Sequence, residues 1–376
     1  MRRVKLGQIC EVVSGGTPKT NVEEYWNGEF NWITPAEIND NDYIISDTKR
    51  KITQLAIEKK KLTLLPKGTI LLSSRAPIGK VAIAGKEMYC NQGFKNLICS
   101  DEICNEYLYW YLKSKKEYLN SLGRGATFKE ISKKIVENIE IKLPEIEQQR
   151  KIVNKLKEVD KIIQQRKCQS RLLDGMVQAR FVEIFGDPIR NTQNRPTTKL
   201  INVVKMQRGF DLPVQDRNQD GNIPVYGANG VLDSHNTARI HGGGVITGRS
   251  GTIGKVFYTE GDYWPLNTSL FSVDKHGNNV IYLAYLLQMF DLTRFVEGTG
   301  VPTLNRNMFH NRQIIDVPIN EQNQFAAFVQ QVNKSKFVIH KFLYCFIDNK
   351  QSIIKPRLNT KESGKIRGGK PHADEF

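Results

Sequence analysis

The sequence predicts an α+β protein with two homologous mixed α/β domains that are joined by long helices. Three observations lead to this prediction. A set of short motifs occurs twice in the same order, the repeated segments show the pattern of strands and turns, and each repeat is followed by a long stretch of helical periodicity.

The repeated motifs lie 174 to 176 residues apart. Ile-Gly-Lys-Val occurs at 78–81 and at 253–256, and Gly-x-Gly occurs at 123–125 and at 298–300. A proline followed three residues later by Glu-Gln occurs at 144–148 and at 318–322. A period this long exceeds that of a solenoid unit, so each copy is the size of a domain. We call them module 1 (residues 1–143) and module 2 (residues 187–317).

The composition indicates a polyanionic partner. The chain has 376 residues, and its 55 Lys and Arg against 39 Asp and Glu give a formal charge of +16, which favours nucleic acid as the ligand. No apolar run approaches the roughly 20 residues that cross a bilayer, so we expect no membrane association. The N-terminus lacks the apolar segment of a signal peptide, and the six cysteines form no Cys-x-x-Cys pair. We therefore expect a cytoplasmic protein.

Two long helices are predicted, at residues 144–186 and 318–354, and residues 355–376 are expected to form a disordered tail. Each helix carries an apolar stripe at helical spacing. We predict that the stripes pack on each other; the alternative is that each helix packs only on its own module. The residues predicted to pack between the helices are Ile152, Leu156, Val159, Ile163, Leu173, Val177, Phe325, Phe328, Val332, Ile339, Phe342 and Phe346.

The sequence lacks the patterns of common catalytic sites. A phosphate-binding loop needs Gly-Lys followed by Ser or Thr, whereas valine follows both Lys80 and Lys255. The six histidines have no catalytic or metal-ligand spacing, and no Asn-Pro-Pro-Tyr or Asp-Pro-Pro-Tyr motif of an amino-methyltransferase is present. These observations favour a binding protein with no catalytic residues, no bound metal and no cofactor of its own.

Polar residues on equivalent turns of the two modules are the candidates for contact with DNA, because base edges and phosphates are bound by such side chains. In module 1 they are Ser14, Thr17, Ser74, Arg75, Lys80, Asn91, Gln92, Arg124 and Lys129. In module 2 they are Arg208, Tyr226, Asn229, Arg249, Ser250, Lys255, Asn267, Thr268 and Arg306.

Several longer motifs follow one another in a set order along the chain. These are Leu-Gly-Gln-Ile at 6–9, Ser-Gly-Gly-Thr-Pro at 14–18, Arg-Ala-Pro-Ile-Gly-Lys-Val at 75–81, Asn-Gln-Gly-Phe at 91–94, Pro-x-x-Glu-Gln-Gln at 144–149, Arg-Phe-Val-Glu-Ile-Phe-Gly-Asp at 180–187, Tyr-Gly-Ala-Asn-Gly at 226–230 and Arg-Ser-Gly-Thr-Ile-Gly-Lys-Val at 249–256. In the order and duplication of these motifs, the chain resembles the specificity subunits of type I restriction-modification systems over residues 5 to about 353. Module 2 departs from the pattern by carrying Asn-Thr-Ser-Leu at 267–270 instead of Asn-Gln-Gly-Phe.

The resemblance implies a non-catalytic subunit with two target recognition domains in a pseudo-twofold arrangement, each recognising half of a bipartite, asymmetric site on double-stranded DNA. It implies antiparallel, coiled-coil-like helices that act as a spacer. It also implies two modification (methyltransferase) subunits and restriction (translocase) subunits as partners, which would bring S-adenosylmethionine, ATP and Mg²⁺. The alternatives are a self-contained DNA methyltransferase or nuclease, and an interaction protein whose charge is incidental.

Overall fold

The computed structural model describes residues 2–75, 77–125, 129–298 and 302–354, with side chains up to residue 347. These residues form two units. The first contains residues up to 164 and the described residues from 344 onwards, and the second contains residues 165–343. The boundary between the units falls inside the first long helix, whereas the sequence analysis predicts that helix as a segment separate from both modules. The predicted tail lies outside the described residues, as do residues 299 and 300 of the second Gly-x-Gly motif.

Module 1 combines three small sheets with short helices. Its strands are β1 (Arg2–Lys5), β2 (Cys10–Ser14), β3 (Trp26–Ile33), β4 (Ile44–Ile45), β5 (Lys51–Ile52), β6 (Ile70–Leu72), β7 (Val81–Ala84), β8 (Tyr89–Cys90), β9 (Lys95–Cys99) and β10 (Glu140–Leu143). Its helices are α1 (Leu6–Ile9), α2 (Gln54–Lys60), α3 (Asn105–Ser114), α4 (Lys116–Ser121) and α5 (Lys133–Glu137), with 3₁₀ turns at Glu23–Tyr25 and Pro35–Glu37. The sheet orders are β2-β9-β6-β7-β4 and β5-β3-β8, and β1 pairs with β10.

Module 2 has the same plan. Its strands are β11 (Thr197–Lys199), β12 (Lys205–Arg208), β13 (Ile223–Gly227), β14 (Gly230–His235), β15 (Gly244–Gly248), β16 (Val256–Thr259), β17 (Trp264–Pro265), β18 (Ser269–Asp274), β19 (Val296–Glu297), β20 (Thr303–Leu304) and β21 (Gln313–Ile315). Its helices are α7 (Leu200–Val203), α8 (Val280–Phe290) and α9 (Arg306–His310), with 3₁₀ turns at Val214–Asp216 and Leu292–Phe295. The long helix α6 (Ile146–Phe185) precedes module 2, and the long helix α10 (Ile319–Ile354) follows it.

The sheet topology confirms the mixed α/β fold that the repeat predicts. The order β12-β18-β15-β16 in module 2 corresponds to β2-β9-β6-β7 in module 1. The parallel pair β13–β17 corresponds to the parallel pair β3–β8. The terminal strands also correspond, since β11 pairs antiparallel with β21 as β1 pairs with β10.

The constant offset of the repeat holds only in the second part of each module. Ile70 of β6 and Gly244 of β15 are 174 residues apart, whereas the equivalent Leu6 of α1 and Leu200 of α7 are 194 residues apart. Module 1 therefore has about twenty additional residues before β6. They lie between β3 and β6, where module 1 has β4, β5 and α2, whereas module 2 has the strand β14 at the edge position that β5 takes in module 1.

One predicted helix is interrupted. The sequence predicts a continuous helix over 105–121, but the structure divides it into α3 and α4. Lys115 between them has φ −106° and ψ 18°, outside the helical region, and its amide N–H donates to the carbonyl oxygen of Leu112. The helical spacing of apolar residues continues across this break, which explains why the sequence pattern does not reveal it.

Each long helix starts with a buried glutamine that satisfies backbone groups of its own module. The Gln149 amide donates to the carbonyl oxygens of Pro144 (2.9 Å) and Glu102 (3.0 Å), and its oxygen accepts from the Cys104 N–H (2.8 Å). In α10, the Gln322 amide donates to the carbonyl oxygen of Val317 (2.8 Å), and its oxygen accepts from the N–H of residue 279 (2.9 Å). These equivalent hydrogen bonds make Gln149 the counterpart of Gln322, whereas the sequence motif aligns Gln148 with Gln322.

The two long helices contact each other inside the second unit. Phe181 and Phe325 have ring centroids 5.4 Å apart, and the Lys336 ammonium lies 2.7 Å from an Asp174 carboxylate oxygen. Since the chain positions run in opposite directions across these contacts, this part of the pair is antiparallel. Glycine at 186, with φ +74°, follows the last residue of α6 and donates to the carbonyl oxygen of Val182 (2.8 Å).

The predicted stripe residues have three different environments. Val177, Phe325 and Val332 are part of the buried core shared with module 2, and Leu173 and Phe328 pack against it. Ile163 and Ile339 are also buried, whereas Val159 and Phe346 are half-buried.

Two parts of the packing prediction need correction. Leu156 belongs to the core of module 1, and Ile152 packs against that core, so this part of α6 packs on its own module. Phe342 is 52% exposed. The buried positions of α10 alternate at spacings of four and three through Val332, Lys336 and Ile339, so the next position in the stripe is 343.

Replacing Gln149 or Gln322 by alanine should destabilise the corresponding unit by about 2 kcal/mol, because buried backbone groups lose their partners. This corresponds to a Tm lower by about 4–8 °C. Gln148→Ala is the matched control, since Gln148 is exposed. Thermal unfolding of the full chain measures the effect, and equal Tm values for Gln148→Ala and Gln149→Ala would contradict this role.

A second prediction concerns pH. The His310 ring nitrogen Nε2 accepts a hydrogen bond from the Met206 N–H (3.0 Å), so the folded state requires this nitrogen to be unprotonated. Burial, with smaller effects from the charges of Arg306 and Lys205, lowers the pKa of His310. Below about pH 6.5 the unfolded chain therefore binds a proton more readily than the folded chain. The free energy of unfolding consequently decreases as the pH is lowered. His310→Gln should reduce the fall in Tm between pH 7.5 and 5.5; parallel curves for the two proteins would contradict the prediction.

Candidate nucleic-acid interface

In module 1, four segments that carry candidate residues are joined by backbone hydrogen bonds. The Gly16 N–H donates to the carbonyl oxygen of Cys90 (2.9 Å), and the Ser74 N–H donates to that of Gly93 (2.7 Å). The Ser74 carbonyl oxygen accepts from the Ile131 N–H (2.9 Å). We call the place where segments 14–17, 73–75, 90–93 and 124–131 meet the loop junction. The structure does not describe residues 126–128 of the last segment.

Module 2 has the same junction with different side chains. The Phe210 N–H donates to the carbonyl oxygen of Pro265 (2.9 Å), and the Arg249 N–H donates to that of Thr268 (2.8 Å). The Arg249 carbonyl oxygen accepts from the Leu304 N–H (2.7 Å). These bonds make Arg249 the counterpart of Ser74, and they make Ser250 the counterpart of Arg75.

A glycine allows the close approach of two segments in each junction. A Cβ atom added at Gly15 would lie 1.9 Å from the carbonyl oxygen of Asn91, and one added at Gly209 would lie 2.2 Å from that of Leu266. Such distances are far below van der Waals contact. These two positions therefore require glycine, because there is no space for a side chain.

Several candidates of module 1 lie together at the junction. Thr17 Oγ1 accepts from the Gln92 N–H at 3.4 Å, and Arg124 pairs through its backbone with residue 130. Arg75, Arg124 and Lys129 are exposed, as is Ser14 at the end of β2. The fold thus brings residues from four separate segments to one surface.

Ser74 and Tyr226 are corrections to the candidate set, whereas Asn91, which is half-buried, stays a prediction. Ser74 is fully buried, because its backbone forms the centre of the junction. The Asn91 side-chain oxygen accepts from the Gly93 N–H (2.7 Å) and so stabilises its own turn. Tyr226 is 8% exposed and packs in a small aromatic cluster, with its ring centroid 5.9 Å from that of Tyr263.

Both repeated lysines are hydrogen bonded in their own modules. Lys80 is half-buried, and its ammonium donates to the carbonyl oxygen of Pro35 (3.1 Å). The Lys255 ammonium donates to the side-chain oxygen of Asn229 (2.8 Å) and remains exposed. The Ile-Gly-Lys-Val repeat is therefore a turn that leads into a strand.

The other candidates of module 2 fall in two places. Arg208, Asn267 and Thr268 lie at the junction, where the Asn267 amide donates to the Asp211 carboxylate. An Arg249 Nη atom lies 3.4 Å from the carbonyl oxygen of residue 267. Arg306 lies at the first position of α9, where its charge acts on His310.

A charge network that the sequence does not indicate, with a buried lysine at its base, supports the junction of module 1. Glu130 accepts from Arg75 Nε (2.9 Å) and from the ammonium of Lys95 (3.1 Å), and Lys95 is buried. Burial alone would raise the pKa of Glu130, but the hydrogen bonds from Lys95 and Arg75 outweigh this effect and lower it. Only the strand register, which brings residues 75, 95 and 130 together, could have identified Glu130.

Among the described residues, no group of three or more His, Cys, Asp or Glu side chains could hold a metal ion. In the same residues, no helix is both long and apolar enough to cross a membrane.

The family model for the type I restriction modification DNA specificity domain matches the chain twice, at residues 1–170 and 196–355. The chain belongs to this family. The first match covers module 1 and α6 as far as residue 170, and the second covers most of module 2 and the whole of α10. The resemblance that the sequence motifs predict is therefore confirmed.

Individual specificity-domain proteins support the assignment. The chain is 41% identical over 194 residues to the type I restriction enzyme MjaIX specificity subunit of Methanocaldococcus jannaschii, an alignment that covers 50% of this chain and 45% of that protein. It is 37% identical over 106 residues to the putative MjaX specificity subunit, covering 28% of this chain and 25% of that protein. It is 20% identical over 355 residues to the EcoprrI specificity subunit of Escherichia coli, covering 87% and 86%. The alignments thus span less than half of the two archaeal proteins.

Solved structures of specificity subunits have the same fold. The S subunit from M. genitalium superposes with a TM-score of 0.57 at 16% identity, over 95% of this chain and 96% of that one. A chain from a study of complex assembly and conformational transition of the type I R-M system gives a TM-score of 0.61 at 18% identity, over 94% and 96%. At these identities the similarity shows the fold alone.

Gly15→Ala and Gly209→Ala should each disrupt one loop junction and destabilise its unit by about 1–3 kcal/mol, because a methyl group cannot fit beside the facing carbonyl. Gly175→Ala is the control: it has open space in the middle of α6 and should stabilise the chain by about 0.5–1 kcal/mol. Thermal unfolding and amide hydrogen exchange at Gly16 measure these effects. Unchanged exchange at Gly16 in Gly15→Ala would show that the junction tolerates a side chain.

Proposed function

We propose that this chain is a DNA sequence-specificity subunit of a type I restriction-modification complex, in which each module recognises one half of a bipartite, asymmetric site. One observation carries the proposal: the same loop junction is built twice, with different side chains at equivalent positions. Ser74 corresponds to Arg249, and Arg75 corresponds to Ser250. A constant backbone with different side chains at equivalent positions, such as the exposed Arg75 and the half-buried Ser250, suits two recognition surfaces for different bases. The charge of +16 favours DNA as the ligand.

We propose that the long helices act as a spacer. The 40 residues of α6 form one continuous helix of about 60 Å that extends from the first unit into the second. Half-sites on one face of a duplex lie about 34–36 Å apart, or multiples of this distance. A continuous helix can therefore determine how many base pairs separate the two halves.

We further propose that modification (methyltransferase) subunits bind to the long helices. The side chains of Phe337, Val338 and Phe342 on α10 are more than half exposed, which is typical of a surface that another protein covers. Catalysis would then belong to the partners. These would be the modification subunits and restriction (translocase) subunits, which would bring S-adenosylmethionine, ATP and Mg²⁺.

We propose that the protein acts in the cytoplasm, because this function requires access to DNA. The comparisons give no support to a self-contained methyltransferase or nuclease.

A randomised duplex library tests the proposal. The full chain, combined with the type I modification subunit of the same organism, should enrich a motif with two defined halves and an undefined gap, and binding should weaken steeply as salt increases. Inserting four residues after residue 164, about one turn of α6, should change the preferred gap but leave both halves intact. Enrichment of a continuous motif, or of none, would refute the proposal, and an unchanged gap would refute the spacer role.

A further inference from the structure

A row of three charged side chains lies at the loop junction of module 1. Residue 130 pairs through its backbone with Arg75 on one side and with Arg124 on the other, both antiparallel. Directly opposite residues of antiparallel segments have their side chains on the same face. Arg75, Glu130 and Arg124 therefore form a row on one face of the junction, with the carboxylate in the middle.

The carboxylate fixes how Arg75 presents its guanidinium group. Glu130 Oε2 accepts from Arg75 Nε at 2.9 Å, and the buried ammonium of Lys95 holds the other carboxylate oxygen at 3.1 Å. The described residues give no hydrogen bond to the two Nη groups of Arg75. These groups belong to a side chain that is 44% exposed, so they can donate to a ligand. A planar guanidinium fixed at Nε presents its remaining donors as a pair.

We propose that Arg75, positioned by Glu130, is a guanine-binding site in the half of the DNA target that module 1 recognises. This inference rests on the proposed function. A pair of guanidinium donors matches O6 and N7 of guanine in the major groove, which is the most frequent specific contact of arginine with DNA. A phosphate ligand is the alternative, since the cations of this group outnumber its one carboxylate; loss of a phosphate contact would weaken binding to all sequences alike, whereas loss of a guanine contact would act at one position.

Module 2 differs at all three equivalent positions. Ser250 pairs with Thr303, and Thr303 pairs with Glu297, so the row contains Ser, Thr and Glu instead of Arg, Glu and Arg. Glu297 also accepts from the Asn305 amide (2.9 Å). The equivalent row of module 2 has no arginine, so it offers no pair of guanidinium donors. The proposed site is therefore specific to one half of the target.

The test measures base preference at each position of the motif that the wild-type complex enriches. The full chain with its modification subunit is used for every variant, and bound duplexes are sequenced. Arg75→Ala and Arg75→Lys should reduce the preference for guanine by about 5- to 150-fold at one position in one half-site, because lysine keeps the charge but not the paired donors. Glu130→Gln should reduce it by a smaller factor at the same position. The other half-site should be unchanged.

Lys134→Ala is the matched control, because Lys134 is exposed, lies outside the row and is not a candidate for contact with DNA. Its loss should leave every base preference as in the wild type. If Arg75→Ala leaves all preferences unchanged, changes a position that is not guanine, or only weakens binding uniformly, the guanine site is wrong and the proposed function stands. If the wild-type complex enriches no two-part motif, the proposed function is wrong and the guanine site is refuted with it.

Discussion

The buried amides of Gln149 and Gln322 determine how each long helix leaves its module. Each amide satisfies backbone groups at the start of its own helix and in the segment before another helix, α3 in one case and α8 in the other. A buried backbone group without a partner is strongly unfavourable, so the first turn of each long helix has one permitted position. The modules can differ elsewhere while this attachment stays the same, and the proposed spacer role depends on it.

The two modules separate framework from recognition at the level of single atoms. The junctions are joined by backbone N–H and carbonyl groups and by glycines without space for a side chain, and neither depends on the neighbouring side chains. Equivalent positions beside them differ in charge, as in the change from Arg75 to Ser250. A duplicated domain can therefore change its base preference by substitution at a few positions while its fold is kept. The additional residues before β6 in module 1 increase this difference.

The sequence predicted the features that depend on periodicity and order. The repeat predicted two copies of one mixed α/β fold, and the apolar spacing predicted the long helices close to their observed ends. Features that depend on which face a residue occupies were not predicted. Ser74 and Tyr226 stand in the same polar, glycine-rich turns as exposed candidates, and no local pattern marks them as buried. Glu130 and Asp211 act through partners distant in the chain, which only the strand register identifies.

The pairing of α6 with α10 also contains a polar position where an apolar one would be expected. Lys336 occupies a buried position of the stripe, and its ammonium contacts the half-exposed carboxylate of Asp174. Such a pair in a helix interface contributes little net stability, because removing the charges from water offsets their attraction. It penalises any shift of one helix along the other, however, since a shift would bury the ammonium without its partner. Apolar contacts such as Phe181–Phe325 therefore stabilise the helix pair, whereas the ion pair determines its register.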